Sequence, residues 1–269
     1  MKKIILFIVS IILIPIEVMV LPGCHTGSKN DKNAVLAFII DILDQRKPAV
    51  AQWARSMTAG TADSGYNSSY VDSSGNIYVA GYISGTQPFN FGNNVTATGT
   101  YEGQNRNFNW IYGKSVVLVK YDSSGTAQWA QTVAAGPINS EFQSVTVDSS
   151  GNIYAAGYIA GNGTFNFGNG VTATSAYDKH TWDDGNNILL MKYNSSGNAQ
   201  WVQTVNAGTE ASEFNSVSVN SSGNIFATGY IIGTTTYNLG NNITVSGVST
   251  FHNRAMDSDG YNIVLTKYK

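Results

Sequence analysis

Between residues 51 and 269 the chain alternates short β-rich apolar runs with clusters of Ser, Asn and Gly. "SVTVD" (144–148) and "NIYAAGYI" (152–159) flank Ser149-Ser150-Gly151, and a short connection rich in Gly and Asn is hairpin chemistry because these residues tolerate positive φ. "NILLMKY" (187–193) and "AQWVQTV" (199–205) repeat the arrangement around Asn194-Ser195-Ser196-Gly197. The pattern predicts four antiparallel strands in a meander. Its second and third strands are apolar on both faces: Ile153, Ala155 and Ile159 alternate with Tyr154, Ala156 and Tyr158, and Ile188 and Leu190 with Leu189 and Met191. A sheet with one wet face shows polar residues at every second position, so these sheets are predicted to be covered on both sides. Gly157 and Ala156 let a neighbouring sheet approach closely.

The phrase "VDSSGNIYVAGYISG" (71–85) returns as "VDSSGNIYAAGYIAG" (147–161) and "VNSSGNIFATGYIIG" (219–233). Trp53, Trp129 and Trp201 stand in "AQW", 76 and then 72 residues apart, and Gly92, Gly168 and Gly240 keep that spacing. Tyr121, Tyr193 and Tyr268 mark a third anchor in "VKY", "MKY" and "TKY". A period of this length implies one supersecondary unit stacked on itself. The predicted fold is all-β: a propeller-like ring of three enlarged four-stranded antiparallel blades. The last copy lacks its "AQW" strand while "AQWARSMT" (51–58) precedes the first, so the N-terminal strand is expected to complete the last blade and hide an edge. Closed propellers typically have 4 to 8 blades, which leaves two alternatives, a three-fold β-prism-like arrangement of sheets or half of a dimeric six-bladed ring.

These residues carry a resemblance. "VDSSGNIYVAGYISG", "FNFGNNVTAT" and "VVLVKYDSSGTAQWAQTV" resemble the SBBP-type β-propeller repeats of bacterial secreted and surface proteins, over residues 51–269. The resemblance implies a bladed fold and carries no catalytic set. The chain departs from it in having three copies, each lengthened after the "FGN" element.

Residues 1–23 read as a signal peptide, with Met1-Lys2-Lys3, an apolar run from Ile4 to Val20 interrupted by Pro15 and Glu17, and Leu21-Pro22-Gly23 before Cys24. The tetrapeptide ending at Cys24 resembles a bacterial lipobox. Cys24 is the single cysteine of the chain, so acylation, palmitate included, accounts for it better than a disulfide. Residues 24–50 then hold the lipidated cysteine, a polar tether over 25–33 and a short helix over Ala34–Arg46, capped by Asn33 and followed by Pro48.

Loss of residues 1–23 removes Lys2, Lys3 and Glu17, leaving 13 basic and 16 acidic side chains and a formal charge of −3. With no basic run, nucleic acid is not an expected partner. Parity in the meander puts the "SSG" turns at one end and the long second-to-third connections at the other. Those connections gather the candidate ligand-binding aromatics Tyr101, Trp110, Tyr112, Tyr177, Trp182, Phe251 and Tyr261 beside Asn, Asp and Gly, a combination suited to a sugar ring or a protein loop. His180 and His252 each lie 12 residues after the "FGN" or "LGN" glycine, and Asp184 and Asp259 each nine before the anchor tyrosine. They carry ligand chemistry, but no pair has a compact metal-binding spacing and Asp-Gly is a turn, so neither metal nor cofactor is expected. Glu141 and Glu213, in matching "SEF" segments, offer an acid–base pair with Asp183 or Asp184. No nucleophile or metal-protease motif accompanies them, and an enzyme is not expected.

The sequence therefore points to a membrane-anchored lipoprotein of the bacterial cell envelope, held by acylated Cys24 in the outer membrane. It acts as a non-catalytic binding or adhesion module for an extracellular protein or glycan. The alternative is a structural envelope repeat that forms homo-oligomers, with a glycan-active hydrolase or lyase third.

Overall fold

The computed structural model describes residues 37, 38, 40, 49–106, 109–177, 185–249 and 260–269. The chain divides into two units, Met1–Gln52 and Trp53–Lys269. In the first, Ala37, Phe38 and Ile40 are helical, and Phe38 and Ile40 are exposed. The remainder of the expected 34–46 helix, and Cys24, lie outside the described residues. Among the described residues no helix is long and apolar enough to cross a membrane.

The second unit is all-β and built of small antiparallel sheets, none of them closed. The first large sheet is β1 (Ser64–Val71), β2 (Ile77–Ser84), β7 (Lys114–Tyr121) and β8 (Ala127–Thr132), in that spatial order. The second is β9 (Ser140–Val147), β10 (Ile153–Ala160), β13 (Asn186–Tyr193) and β14 (Ala199–Thr204). The third holds β15 (Ser212–Val219), β16 (Ile225–Ile232) and β19 (Tyr261–Tyr268). Each second-to-third connection contains a hairpin that its "FGN" or "LGN" residues turn: β3 (Pro88–Asn90) with β4 (Thr96–Thr98), β11 (Thr164–Asn166) with β12 (Thr172–Thr174), and β17 (Thr236–Asn238) with β18 (Thr244–Ser246). The first connection adds β5 (Gly103–Arg106) and β6 (Asn109–Tyr112).

The "SSG" turns owe their geometry to the residue that opens them. Asp72 Oδ1 accepts the amides of Ser74 and Asn76, both at 2.9 Å. Asp122, Asp148, Asn194 and Asn220 do the same for the residues two and four ahead. Asp and Asn are interchangeable here because the turn uses an oxygen acceptor.

Opposite faces of the sheets pack on their neighbours, which is why both faces are apolar. Tyr78, Ala80, Val116 and Leu118 of the first sheet meet Ile153, Ala155, Leu189 and Met191 of the second, with Phe165 and Phe167 of the β11–β12 hairpin filling in. The other face of the second sheet (Tyr154, Ala156, Ile188, Leu190) meets Ile225, Ala227 and Val264 of the third, with Tyr237 and Leu239. Phe142 and Phe165 are fully buried, each contributing on the order of 2 kcal/mol by burial. A bulge recurs in each inner strand, where Asn67, Gln143 and Asn215 are the extra residues opposite Gly81, Gly157 and Gly229.

The third large sheet departs from the expected four strands: among the described residues it has three, β19 pairs with β16, and no strand flanks its other edge. Trp53–Thr58 is not paired with β19. It lies along the first sheet, where Arg55 Nε and Nη2 donate to the carbonyls of Gly125 and Ser124, both at 3.0 Å. Trp53 sits against Gly125, and Met57 packs with Phe89 and Phe91. These contacts hold the segment where it is.

Candidate functional site

The two ends of the second unit differ as parity requires. At one end the β1–β2, β9–β10 and β15–β16 turns line a cleft of about 520 Å³ that includes Asp72, Ser74, Asp148, Ser150, Asn220 and Ser221. Its carboxylates are occupied by their own turns. Burial works against the ionised form of Asp148, but hydrogen bonds from Asn152, Tyr154 and Ser150 outweigh it and hold the carboxyl below its ordinary range.

The opposite end carries the long connections, and beneath them runs a seam of buried polar groups. Glu141, at the start of β9, is 6% exposed. Its Oε2 accepts from Lys114 Nζ at 2.7 Å and Tyr158 Oη at 2.9 Å, and its Oε1 from Asn67 Nδ2 at 2.8 Å. Lys114 belongs to the first sheet and also lies over the Tyr82 ring at 4.1 Å. The equivalent Glu213 accepts from Tyr230 Oη at 3.0 Å and Asn186 Nδ2 at 3.2 Å. The bulge makes this possible, because its extra residue turns Asn67 out of the strand and toward the next sheet. Glu213 meets an asparagine where Glu141 meets a lysine. Burial, with the Glu141 charge adding to it, pushes the Glu213 carboxyl above its ordinary value.

The chemistry of the seam is structural. With three donors on Glu141 and almost no solvent access, it offers no general acid or base to a substrate outside. Asp183 and Asp184, the expected partners, lie outside the described residues, as do Trp182, Phe251, His180, His252 and Asp259.

No protein-family model matches the chain, and none of the curated proteins does.

The expected aromatics separate into different roles. Tyr177 is buried, packed with Ala211 and Ile232, and its backbone is held by the Asn187 side chain at 3.0 and 2.9 Å. It is a packing residue and not the presented aromatic that its loop position implied. Tyr101 is half-buried over the Gly113 backbone. Tyr261 is 61% exposed, edge-on to Tyr230 with ring centroids 4.8 Å apart, and is available to a ligand. Trp110 and Tyr112 lie on β6, and their side chains are outside the described part of the structure. Sequence reasoning missed Lys114, Tyr158, Tyr230 and Asn67. The recurring Tyr82, Tyr158 and Tyr230, each inside an apolar run and three residues before Gly85, Gly161 and Gly233, were the available cue.

Glu213→Gln is expected to raise the melting temperature at pH 7 to 8 and to leave it nearly unchanged at pH 4. The folded pKa lies above the unfolded one, so the stability tied to the protonated carboxyl is complete below the unfolded value and is lost as pH rises through the folded one. The amide keeps the Tyr230 hydrogen bond without the charge. Melting curves across this range check it, and an equal shift at both ends would show that the charge is not the cause.

Proposed function

We propose that the protein is a lipid-anchored, non-catalytic binding module of the bacterial cell envelope, attached to the outer membrane through acylated Cys24. Its large sheets are the blades of an SBBP-type propeller, and it engages an extracellular glycan or protein through its long connections. The observation that carries this reading is the asymmetry of the ends. One end repeats the same Asx-stabilised turn. The other carries connections that differ from copy to copy, set above a fully hydrogen-bonded seam, the arrangement of a rigid scaffold under variable loops. The exposed Tyr261 marks that end.

The test of binding is an array of bacterial and host glycans and extracellular-matrix proteins probed with the full mature chain carrying Cys24→Ser. Binding that Tyr261→Ala weakens tenfold or more, with an unchanged melting temperature, supports the reading. Silence across the array, or cleavage of a feature, overturns it. The anchor has its own test: Cys24→Ser is expected to move the protein from the membrane to the soluble fraction of cells, since the acyl chains supply the affinity. Membrane retention of the variant would remove the lipid from the account. The open edge of β19 favours a second reading, self-association.

A further inference from the structure

The junctions between neighbouring sheets follow one plan, and both end sheets display half of it. At the first junction Val116 N donates to Ser140 Oγ at 3.1 Å, and Val145 N to Ser68 Oγ at 3.2 Å. At the second, Ile188 N donates to Ser212 Oγ at 3.2 Å and Val217 N to Ser144 Oγ at 3.1 Å. The next set would be Ile263 N with Ser64, and Ser216 with the amide of Ser69. All four residues are present, at opposite ends of the unit. Ile263 is 95% and Leu265 71% exposed, where their equivalents Val116, Ile188, Leu118 and Leu190 are buried.

The segment Trp53–Thr58 extends the plan. Trp129, on the fourth strand of the first sheet, lays its ring on Gly197 of the second sheet's outer turn, and Trp53 lays its ring on Gly125 of the first. Trp53–Thr58 thus occupies the place of a fourth strand belonging to a sheet before β1. At the far end, the groove such a strand would fill is present as a cavity of about 170 Å³ between β19 and the β17–β18 hairpin, lined by Gln203, Asn241, Ile243, Thr266, Lys267 and Tyr268.

We infer that β19 and the open face of the third sheet bind the first sheet of a second copy of this chain, whose Trp53–Thr58 becomes the fourth strand of the third sheet. Made reciprocally, the contact joins two chains into a closed ring of six blades; this rests on the self-association and propeller readings above. Six lies within the 4 to 8 blades that close typical propellers, and the reciprocal contact leaves no open edge. A second copy fits where an unrelated partner does not, because the surface continues an interface already made twice within the chain. The side chains match at the one place where the plan changes. Internal junctions pair Lys114 with Glu141 and Asn186 with Glu213. The end sheets carry Tyr261 and Gly65 at these positions, a large ring against a residue with no side chain and no buried carboxylate left unpaired; the equivalent Lys114 keeps 34% of its side chain exposed within its junction, so the Tyr261 ring stays at the rim, open to a ligand.

Pairing by the β7–β8 register, in which Val119 faces Ala130, puts Ala54 of one copy opposite Thr266 of the other. The test is sedimentation equilibrium of the mature Cys24→Ser chain, together with oxidation of a variant that adds Ala54→Cys and Thr266→Cys. The expected result is a dimer that oxidation locks covalently. Ile263→Asp with Leu265→Lys, at positions exposed in the single chain, is expected to weaken the dimer at least a hundredfold without lowering the monomer's melting temperature. A monomer at 100 µM, as an order-of-magnitude ceiling for a stable interface, overturns both the inference and self-association. A disulfide formed within a monomer shows closure by the chain's own segment and overturns the second copy. A dimer that does not cross-link, or a mass that grows without limit, retains self-association and overturns the exchanged strand.

Discussion

Gly157→Ala is expected to destabilise the repeat unit by on the order of 4 kcal/mol, at the extreme of single substitutions. Gly157 lies in the middle of β10, opposite the Gln143 bulge, and an added Cβ falls on the Glu141 carbonyl oxygen, far inside the 3.0 Å below which such contacts essentially never occur. The obstacle is backbone, which a rotamer change cannot move. Relief means opening the β9–β10 pairing, and β9 is the buried inner strand of the second sheet, packed against β1 and β2 of the first sheet and β15 of the third, and holds Glu141. Gly168→Ala is the control. Gly168 has φ +85° and nothing within 4 Å of an added Cβ, so its cost is conformational, about 1 kcal/mol. Urea titrations of both variants separate the two causes. Equal, small shifts of the midpoint would mean that β9 and β10 are not held as closely as the bulge requires.

The turns, the strand order within each large sheet and the two-faced packing were legible in the sequence because each depends on local chemistry repeated in register. Asp72, Asp148 and Asn220 need only an oxygen ahead of a glycine, and apolar runs such as 153–159 and 188–191 state their burial directly. What was not legible depends on contacts between repeats. Lys114 and Glu141 are 27 residues apart, and the same two positions hold Asn186 with Glu213 one repeat later, so no motif survives comparison. Matching "SEF" segments suggested accessible carboxylates. The tyrosine of the paired strand and, at Glu141, the bulge asparagine of the preceding sheet instead bury them, because a strand's first residues face a neighbour that periodicity does not reveal. The hairpin strands around "FGN" read as loop, being three residues each. Tyr177 read as a loop aromatic for a similar reason: its burial comes from Ala211 and Ile232, outside its own connection. Ring closure depended on where Trp53–Thr58 goes, and Arg55 at the position of Gln131 and Gln203 gives that segment two carbonyls of its own first sheet to bind.

Lys114→Met is expected to cost about 2 to 3 kcal/mol, the low end for breaking a buried ion pair because the lysine side chain is 34% exposed. The methionine keeps most of the aliphatic stem's packing, so the loss reports the charge. What remains is a Glu141 carboxylate that is 6% exposed and held by two neutral donors, Tyr158 and Asn67. A buried carboxylate without its cation is an uncompensated charge, and that is the source of the variant's deficit. Lys114→Met with Glu141→Gln is expected to recover part of the loss, since no charge is left unpaired and the amide oxygen still accepts from Tyr158, while its NH2 takes the place of the oxygen that accepted from Asn67. Chemical denaturation of the wild type, the single variants and the double variant closes the cycle. A coupling below about 0.5 kcal/mol would reduce the pair to an ordinary surface contact. A coupling of 2 kcal/mol or more would make it the ionic lock of the first junction, which the second junction does without and where Glu213 carries a raised carboxyl instead.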